Sequence, residues 1–473
     1  MDYIESLHYV LSFTNLAHMR HVPYEKRVWL LDRIQGLLDA LGRPQDDFPA
    51  IHIAGTKGKG STAAMIDSVL QAAGLRPGLY TSPHLHTFRE RVRVNGELIS
   101  RDAWIAQVQR IREVVDTLPL RPNTFDVLTA LAFRYFADER VPIAVVEVGL
   151  GGRLDSTNVV HPVLTLITSL GLEHTAILGP TLQHVAREKG GIIKDGVPVI
   201  IAPQPPQAME VLETIAAEHR ARFIVLGRDW HYRLEAATRE GIRVSVWNAG
   251  AAYENVDVSL RGRHQAINAA MAIIALHTLR DMGWLVQEHH IRQGLKNVRW
   301  PARMEILQAH PTLLLDAAHT IESMTELAQS IERWFPGRRV HALFGVSQDK
   351  PIEALLSLLW PLAESVFITR SEHPRAASPD FILQNMPDFP GPDVYTYTRA
   401  EDALAAALTY AAPHDIVCAC GSIFLAAAIR EIWAHEYGQL PEDDWVYQSD
   451  FPYLRRSVTE PGRILLRKPS KGH

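Results

Sequence analysis

The feature that most constrains this chain is a short apolar run that ends in a turn rich in glycine and lysine. Ala50–Ala54 is apolar and bounded by turn residues, which predicts a buried strand, and the pattern from about residue 61 to 73 predicts a helix. Glycines let backbone N–H groups face an anion, and a helix N-terminus adds partial positive charge. The junction between strand and helix therefore predicts a phosphate-binding loop in an α/β fold. Its residues are Gly55, Thr56, Lys57, Gly58, Lys59, Gly60, Ser61 and Thr62.

This loop differs from the common P-loop pattern. Gly60 follows the lysine where that pattern has serine or threonine directly, and no glycine lies five residues before Gly58. Lys59 is nevertheless placed to reach terminal phosphates, with a hydroxyl from Ser61 or Thr62 nearby. A solvated basic turn is the alternative, but three glycines interleaved with two lysines at this junction favour phosphate binding.

The rest of the chain alternates in the same way and divides into two units. The first has further predicted strands at 78–81, 143–148, 164–168 and 197–202, and helices at 125–138, 181–189, 207–219 and about 264–282. Residues 223–260 alternate polar and apolar, which predicts an antiparallel appendage. After a break near Pro301, strands are predicted at 313–316, 340–344, 365–369 and 415–420, with helices at 321–334, 352–362, 400–411 and 424–433.

This βαβα rhythm predicts mostly parallel sheets covered on both faces. We expect a P-loop-type ATPase domain over residues 1–298 and a smaller Rossmann-like domain over 299–437. Residues 438–473 form a polar tail without a clear core pattern, and we assign it no function. A chain of 473 residues exceeds the size of one hydrophobic core, so two domains are expected on length as well.

Composition limits the classes of molecule that the protein is expected to bind. A net charge of -5 offers no global attraction to nucleic acid or to an anionic membrane surface. The N-terminus is acidic where a secretory signal is basic, and no apolar run is long enough to span a bilayer. Cys418 and Cys420 lie two apart in a strand-like run, which indicates buried reduced thiols. We therefore expect a cytoplasmic protein with small-molecule substrates.

A second candidate site follows the strand at 143–148. Glu147 ends this strand, and ligands of nucleotide-binding sheets gather at the carboxyl ends of strands, so its carboxylate is placed to hold Mg²⁺. A lone acid at a strand end is usually only solvated, but the glycine-rich polar loop at 149–158 favours a site. Ser82, His174 and Lys189 also follow strands or end a helix, and the pattern alone gives none of them a role.

Taken in order, the motifs resemble one family. They are GTKGKGS, GLYTSPHL with ERVRVNG, VVEVGLGGRLDSTN, ITSLGLEHTAILG, REKGGIIK, GRHQAINAA, WPARMEI, LLDAAHT and FGVSQDK. This series resembles folylpolyglutamate synthase and the related dihydrofolate synthase, within the Mur ligase superfamily, over about residues 2 to 433. The resemblance implies an ATP-dependent ligase that adds L-glutamate to tetrahydrofolate, and also to dihydropteroate, through an acyl phosphate with release of ADP and phosphate.

The resemblance also implies roles for matching positions. Ser82 and Glu147 resemble ligands of a first Mg²⁺, and Glu147, His174 and Lys189 resemble those of a second, with Lys189 carbamylated. Asn268 resembles an adenine-side contact. Arg303 and Asp316 resemble contacts from the C-terminal domain to ATP, and His319 resembles part of the closed catalytic site. Positions lining the folate site are Pro83, His84, Phe125 and Arg153. The family is usually monomeric, so we expect a monomer.

The chain departs from the family pattern at five positions. They are Lys57 for asparagine, Glu173 for aspartate, Asp126 for glutamate, Ala302 for glycine and Thr320 for asparagine. None of them removes an expected metal ligand or Lys59. They bear on substrate detail more than on the type of reaction.

Three other functions are compatible with parts of the pattern. A peptidoglycan-type Mur ligase uses the same chemistry on UDP-linked substrates, but Gly60 and the SPHL…ERVRVNG segment resemble the folate branch. A P-loop switch or motor NTPase does not need the GGRLDSTN loop or a second nucleotide-contacting domain. A catalytically inactive binding protein is disfavoured because Lys59, Glu147, His174 and Lys189 are all retained.

Overall fold

The computed structural model describes residues 1–13, 29–388, 390–438, 440, 446, 450 and 463–465. It contains two large sheets with helices on their faces, which confirms the predicted α/β class with mostly parallel strands.

The N-terminal sheet has eight strands around a central phosphate-loop strand. In spatial order they are β4-β3-β2-β5-β1-β6-β7-β8. Six of them run parallel, whereas β3 and β4 form an antiparallel edge. Their bounds are β1 Ala50–Ala54, β2 Gly78–Tyr80, β3 Val92–Val94, β4 Glu97–Leu98, β5 Ala144–Glu147, β6 Pro162–Ile167, β7 Val199–Ile201 and β8 Phe223–Val225.

The central strands of this sheet are buried on both sides because helices cover both faces. One face packs on α3, α9 and α10, and the other on α1, α4 and α5. The helices of this unit are α1 Tyr3–Leu11, α2 Trp29–Ala40, α3 Lys59–Ala72, α4 Arg101–Val115, α5 Thr124–Asp138, α6 Thr175–Leu178, α7 Leu182–Gly190, α8 Pro206–Glu218, α9 Gln265–Asp281 and α10 Glu288–Asn297.

The predicted appendage is present, with a narrower extent than expected. β9 His231–Thr238, β10 Gly241–Trp247 and β11 Ala252–Val258 form a separate antiparallel sheet that packs against α9. Phe223–Val225, which the pattern placed in the appendage, instead extends the main sheet in parallel with β7. A three-residue strand is too short for its alternation to reveal which sheet it joins.

The C-terminal sheet has the spatial order β12-β13-β17-β14-β15-β16-β18. Its middle strands are parallel, and antiparallel strands flank them at both edges. The strands are β12 Glu305–Ala309, β13 Thr312–Leu315, β14 Val340–Phe344, β15 Ala363–Ile368, β16 Asp393–Thr396, β17 Ile416–Cys420 and β18 Arg463–Leu465. The helices are α11 Ile321–Trp334, α12 Ile352–Leu359, α13 Pro379–Gln384, α14 Ala400–Tyr410 and α15 Ile423–Glu436.

Two details bear on the sequence interpretation. Cys418 and Cys420 are both buried with free thiols, as predicted. The tail, predicted to lack a core pattern, contributes strand β18, a fully buried Val446 and a buried Asp450. Over the described ranges, no helix is both long enough and apolar enough to cross a membrane.

Candidate active site at the carboxyl edge of the N-terminal sheet

The phosphate loop is the turn between β1 and α3, and two of its glycines are required by close contacts. Gly55 has φ +149° and Gly58 has φ +90°, and α3 begins directly after Gly58. A Cβ at Gly55 would collide with the Thr168 side chain, and one at Gly58 with the Asn268 amide. Asn268, predicted on the adenine side, therefore packs against the loop itself. It also donates a 2.9 Å hydrogen bond to Gln265.

Two lysine ammonium groups converge on this turn. Lys59 Nζ donates to the Gly55 carbonyl at 3.0 Å, and Lys189 Nζ, from the end of α7, donates to the same oxygen at 2.7 Å. Burial, followed by the charge of Lys59, lowers the pKa of Lys189 to about 7. Among the described residues, no carboxylate lies within ion-pair distance of either ammonium group. Two like charges held together without a counterion require a bound anion, or the loss of one charge.

Glu147, on the strand next to β1, faces Lys59. The parallel register pairs it with Ile53, one residue before the end of β1. Its Oε2 accepts a 3.0 Å hydrogen bond from the backbone N–H of Ser82, which follows β2. Burial raises the pKa of Glu147, while Lys59, the Ser82 N–H, Arg303 and Arg91 oppose the rise. The structure thus brings Lys59, Ser82 and Glu147 to one edge of the sheet.

Lys57, Glu173 and His319 form a chain across the two units. Lys57 Nζ lies 3.3 Å from Glu173 Oε2, and His319 Nε2 lies 3.7 Å from Glu173 Oε1. Burial alone would raise the pKa of Glu173, but His319 and Lys57 outweigh it and hold that pKa well below its usual range. Two positions where this chain departs from the family pattern, Lys57 and Glu173, are therefore an ion pair.

His174, the next residue, directly precedes α6 and lies in the left-handed region at φ +55°. Burial lowers the pKa of His174, the charge of Glu173 opposes this, and the charges of Lys350, Lys189 and Lys59 lower it further. His174 therefore lies within the field of both loop-facing lysines.

The C-terminal unit supplies a tightly shaped loop. Asp316 accepts hydrogen bonds of 2.7 Å from the backbone N–H groups of both Met304 and Ala318. The charge of Arg303 interacts electrostatically with two carboxylates, Asp316 of its own unit and Glu147 of the other, and burial lowers its pKa. The Nδ1 of His319 lies 2.8 Å from the Ala317 carbonyl oxygen, which can only accept, so Nδ1 carries the proton. Its Nε2 therefore faces Glu173 across the gap.

The four positions predicted for the folate side lie beside this edge. His84 Nδ1 accepts a 2.9 Å hydrogen bond from Arg91 Nε, and Pro83 precedes it in the same segment. Phe125, in the first turn of α5, lies over Gly149, where any Cβ would strike its ring. Arg153 forms an ion pair with Glu188 at 3.0 Å, and Glu188 directly precedes Lys189 in the sequence.

Sequence reasoning assigned no role to Arg91, which the structure places in the site. Its guanidinium acts electrostatically on Glu147, and no carboxylate of the described residues lies within ion-pair distance. The signal was available, because Arg91 belongs to the ERVRVNG motif, but the motif does not say which of its arginines turns inward. Trp300 was also missed; it packs so closely on Gly60 that a Cβ there would press on its ring.

The donor set around Glu147 suits one Mg²⁺. Carboxylate and hydroxyl oxygens are hard donors, and Mg²⁺ beside a nucleotide commonly takes only one or two protein ligands. Glu147 and Ser82 are the residues that would provide them. Within the described ranges, no three His, Cys, Asp or Glu side chains converge well enough to hold a metal by themselves. For the second ion, Lys189 fits only as a carbamate, because an ammonium group has no lone pair to coordinate with.

Comparisons with known proteins agree with this geometry. The family model described as Mur ligase middle domain matches residues 53–276, and the model described as Mur ligase, glutamate ligase domain, matches 302–423. The chain is 39% identical over 353 residues to a dihydrofolate synthase/folylpolyglutamate synthase of Bacillus subtilis, covering 73% of this chain and 82% of the relative.

Two solved structures are similar throughout. One is a Mycobacterium tuberculosis folylpolyglutamate synthase complexed with ADP and AMPPCP, with TM-score 0.79 and 31% identity, covering 92% of this chain and 100% of the other. The second is an Escherichia coli protein in complex with DHPP and ADP, with TM-score 0.81 and 28% identity, covering 93% and 99%.

Proposed function

Because the chain belongs to the folylpolyglutamate and dihydrofolate synthase family of Mur ligases, we propose that it ligates L-glutamate to reduced folates and to dihydropteroate. It is an ATP-dependent ligase, and ADP and phosphate are its other products. We further propose that it acts as a monomer in the cytoplasm, with its domains divided at residues 298 and 299.

The observation that carries this proposal is the convergence of Lys59 and Lys189 on the Gly55 carbonyl, opposite Glu147. A triphosphate placed on the loop supplies the missing anion. Mg²⁺ held by Glu147 and Ser82 would neutralise phosphate charge and favour attack on the γ-phosphorus. Arg303, between Glu147 and Asp316, adds a cation from the second unit.

The reaction needs an activated carboxylate. The substrate carboxylate attacks the γ-phosphorus, ADP leaves, and an acyl phosphate forms. The α-amine of glutamate then attacks the acyl carbon, the phosphate leaves, and an amide results with loss of a proton from nitrogen. The protein's part is to position these groups and to screen their repulsion, which is where most of the rate enhancement in phosphoryl transfer arises.

Closure of the two units supports both steps. Glu173 already contacts Lys57 of the phosphate loop and His319 of the C-terminal unit. We propose that this region borders the glutamate site and that closure excludes water, which otherwise hydrolyses the acyl phosphate.

Lys189 is the proposed site of carbamylation. A carbamate forms when the neutral amine attacks CO₂ and loses a proton, and a lysine with a pKa of about 7 has a substantial neutral fraction at physiological pH. The product is an oxygen-donor anion that pairs with Lys59 and suits Mg²⁺.

The test is an ADP-release assay with glutamate and three acceptors: dihydropteroate, tetrahydrofolate and a UDP-muramyl substrate. We expect release only when glutamate and a pterin acceptor are both present. Release with the UDP-linked acceptor alone contradicts the folate assignment, and release without glutamate indicates a switch NTPase. Glu147→Gln should lose activity that added Mg²⁺ does not restore, and full rescue would place the metal site elsewhere.

A further inference from the structure

The tail contains a carboxylate that is built into the N-terminal unit. Asp450 is only 8% exposed. Its Oδ1 accepts a 2.7 Å hydrogen bond from the Tyr3 hydroxyl, and its Oδ2 accepts from the Thr87 hydroxyl at 2.9 Å and the Phe88 N–H at 2.7 Å. The Asp450 N–H donates to the His86 carbonyl at 3.0 Å. A buried carboxylate with three donors and a backbone contact is a specific attachment point, because burial without such donors is unfavourable.

The path of the chain makes this contact unusual. The helix before it, α15, belongs to the C-terminal unit, and Leu440 packs with that unit's core. After Asp450 the chain returns to the same unit, where β18 pairs with β16. Asp450 therefore marks a crossing onto the N-terminal unit between two stretches of the C-terminal one.

The segment that Asp450 holds, residues 82–91, is the one that lines the substrate side of the site. At its start, the Ser82 N–H contacts Glu147. In its middle, Glu90 accepts hydrogen bonds from three consecutive backbone N–H groups, those of Leu85, His86 and Thr87, at 2.6–2.9 Å. Glu90 thus holds the segment from within, and Asp450 holds it from outside.

A second contact from the C-terminal unit reaches the same segment. The His86 ring is buried against α15, with Nε2 3.3 Å from Arg430 Nη1 and Nδ1 3.8 Å from Glu431. Arg430 is paired in turn with Glu305 at 3.1 Å. The segment is thereby fixed to the C-terminal unit beside the point where Asp450 attaches.

We propose that Asp450 is a positioning residue that orders segment 82–91 for the pterin-containing acceptor. This rests on the proposed function, in which Pro83 and His84 line the acceptor site. The contacts of Asp450 with this segment lie at residues 86–88, whereas Ser82 is held separately by its N–H bond to Glu147. Lys59 and Lys189 contact Gly55 and not this segment. Loosening the segment should therefore weaken acceptor binding while leaving nucleotide binding nearly unchanged.

The test uses the full chain with Asp450→Asn, which keeps the shape but removes the charge. Hydrogen bonds to a charged acceptor contribute enough that we expect the KM for the pterin acceptor to rise about tenfold. The KM for ATP should stay within about twofold, and kcat should fall less than the acceptor affinity. Tyr3→Phe removes one donor and should raise the acceptor KM about twofold, which keeps the proposal testable if Asp450→Asn folds poorly.

Asp415→Asn is the matched control. Asp415 is also a buried carboxylate, bonded to Ala412, Arg339 and His341, but it lies in the C-terminal unit away from the segment. We expect it to lower stability without changing the acceptor KM. Equal changes of the acceptor KM in both variants, or none in Asp450→Asn, overturn the proposal.

A second measurement does not depend on catalysis. Amide hydrogen exchange at Thr87 and Phe88, in the absence of substrates, should speed up about tenfold or more in Asp450→Asn and not in Asp415→Asn. Unchanged exchange overturns the proposal even if the enzyme is an active ligase. The exchange could also be faster in a protein that ligates no pterin acceptor. In that case Asp450 still orders the segment, but the link to acceptor binding is refuted together with the proposed function.

Discussion

The two sheets present different kinds of groups at the edges that meet. The N-terminal edge carries charged ends, Lys59 and Lys189, that touch one backbone carbonyl and have no carboxylate partner among the described residues. At the C-terminal edge, each carboxylate oxygen of Asp316 accepts a hydrogen bond from a backbone N–H group. The N-terminal edge is thus suited to bind an anion, whereas the Asp316 carboxylate of the C-terminal edge stabilises the conformation of its own backbone.

This difference indicates which edge contributes to activity and which contributes to stability. A charged group without a counterion destabilises a fold, so proteins keep such groups mainly at sites of binding or catalysis. A carboxylate that accepts backbone hydrogen bonds stabilises the loop that donates them. Substitutions at the N-terminal edge should therefore lower activity without lowering stability. Those at the C-terminal edge should lower both.

The largest effect is expected for Lys59→Ala. If Lys59 contacts the transferred phosphoryl group as proposed, removing this cation should lower kcat/KM about 10³-fold or more. Because Lys59 repels Lys189 but attracts Glu147, the two effects offset each other, and the free energy of unfolding should change by less than about 1 kcal/mol. Steady-state ADP release and urea unfolding measure the two quantities.

The control is Lys194→Ala, a half-buried lysine of the same unit that donates to the Asn158 carbonyl at 3.1 Å. It should keep activity within about threefold, since it faces no expected substrate group. A Lys59→Ala enzyme that unfolds more easily than this control would contradict the contrast between the edges.

Asp316→Asn should have an intermediate effect on both quantities. The amide has one oxygen instead of two for the N–H groups of Met304 and Ala318, and it no longer faces Arg303 with a charge. We expect a loss of about 2 kcal/mol in stability and a fall of kcat/KM of about 30-fold. Measured activity loss at full stability would show that Asp316 acts on the nucleotide and not through its loop.

A smaller effect is expected for the pair that joins the edges. A double-mutant cycle on Lys57→Ala and Glu173→Ala should give a coupling energy of about 0.5–1 kcal/mol in kcat/KM, because both side chains are partly exposed. His319→Ala should couple to Glu173 and not directly to Lys57. A coupling energy of zero between Lys57 and Glu173 would mean that this ion pair makes no contribution to kcat/KM.

The features that the sequence predicted well are those with local signals. The glycine-lysine turn lies where the pattern put it, between β1 and α3, and the predicted central strands are present within one to three residues. Such strands are continuous apolar runs between turn residues, and each run carries its own signal.

What the sequence did not reveal depends on distant contacts. Glu173 meets Lys57 across 116 residues and His319 across 146, and no periodicity links such positions. The strands at or next to the sheet edges, β3, β4, β12, β16 and β18, were not predicted, because short strands there have weak alternation. The same holds for Asp450, whose neighbours in the chain give no core pattern.

The smallest effect, and the sharpest test of the contrast, is expected at Ala302. Its φ is +56°, in the left-handed region that favours glycine, and its carbonyl oxygen accepts from the N–H of Ala317 and from Arg303 Nη1. The loop of the C-terminal edge thus holds an alanine in a strained backbone conformation. That is consistent with an edge where the backbone shape is fixed by its hydrogen bonds.

Ala302→Gly should therefore change the free energy of unfolding by less than about 0.5 kcal/mol, since relief of the left-handed strain offsets the added entropy of the unfolded chain and the loss of a buried methyl group. Ala317→Gly, in the adjoining loop after β13 and with an ordinary φ, is the matched control and should lower it by about 1 kcal/mol. Urea unfolding at one pH measures both. If both variants are destabilised alike, Ala302 stores no strain, and the C-terminal loop owes its shape to side-chain contacts such as that of Asp316 alone.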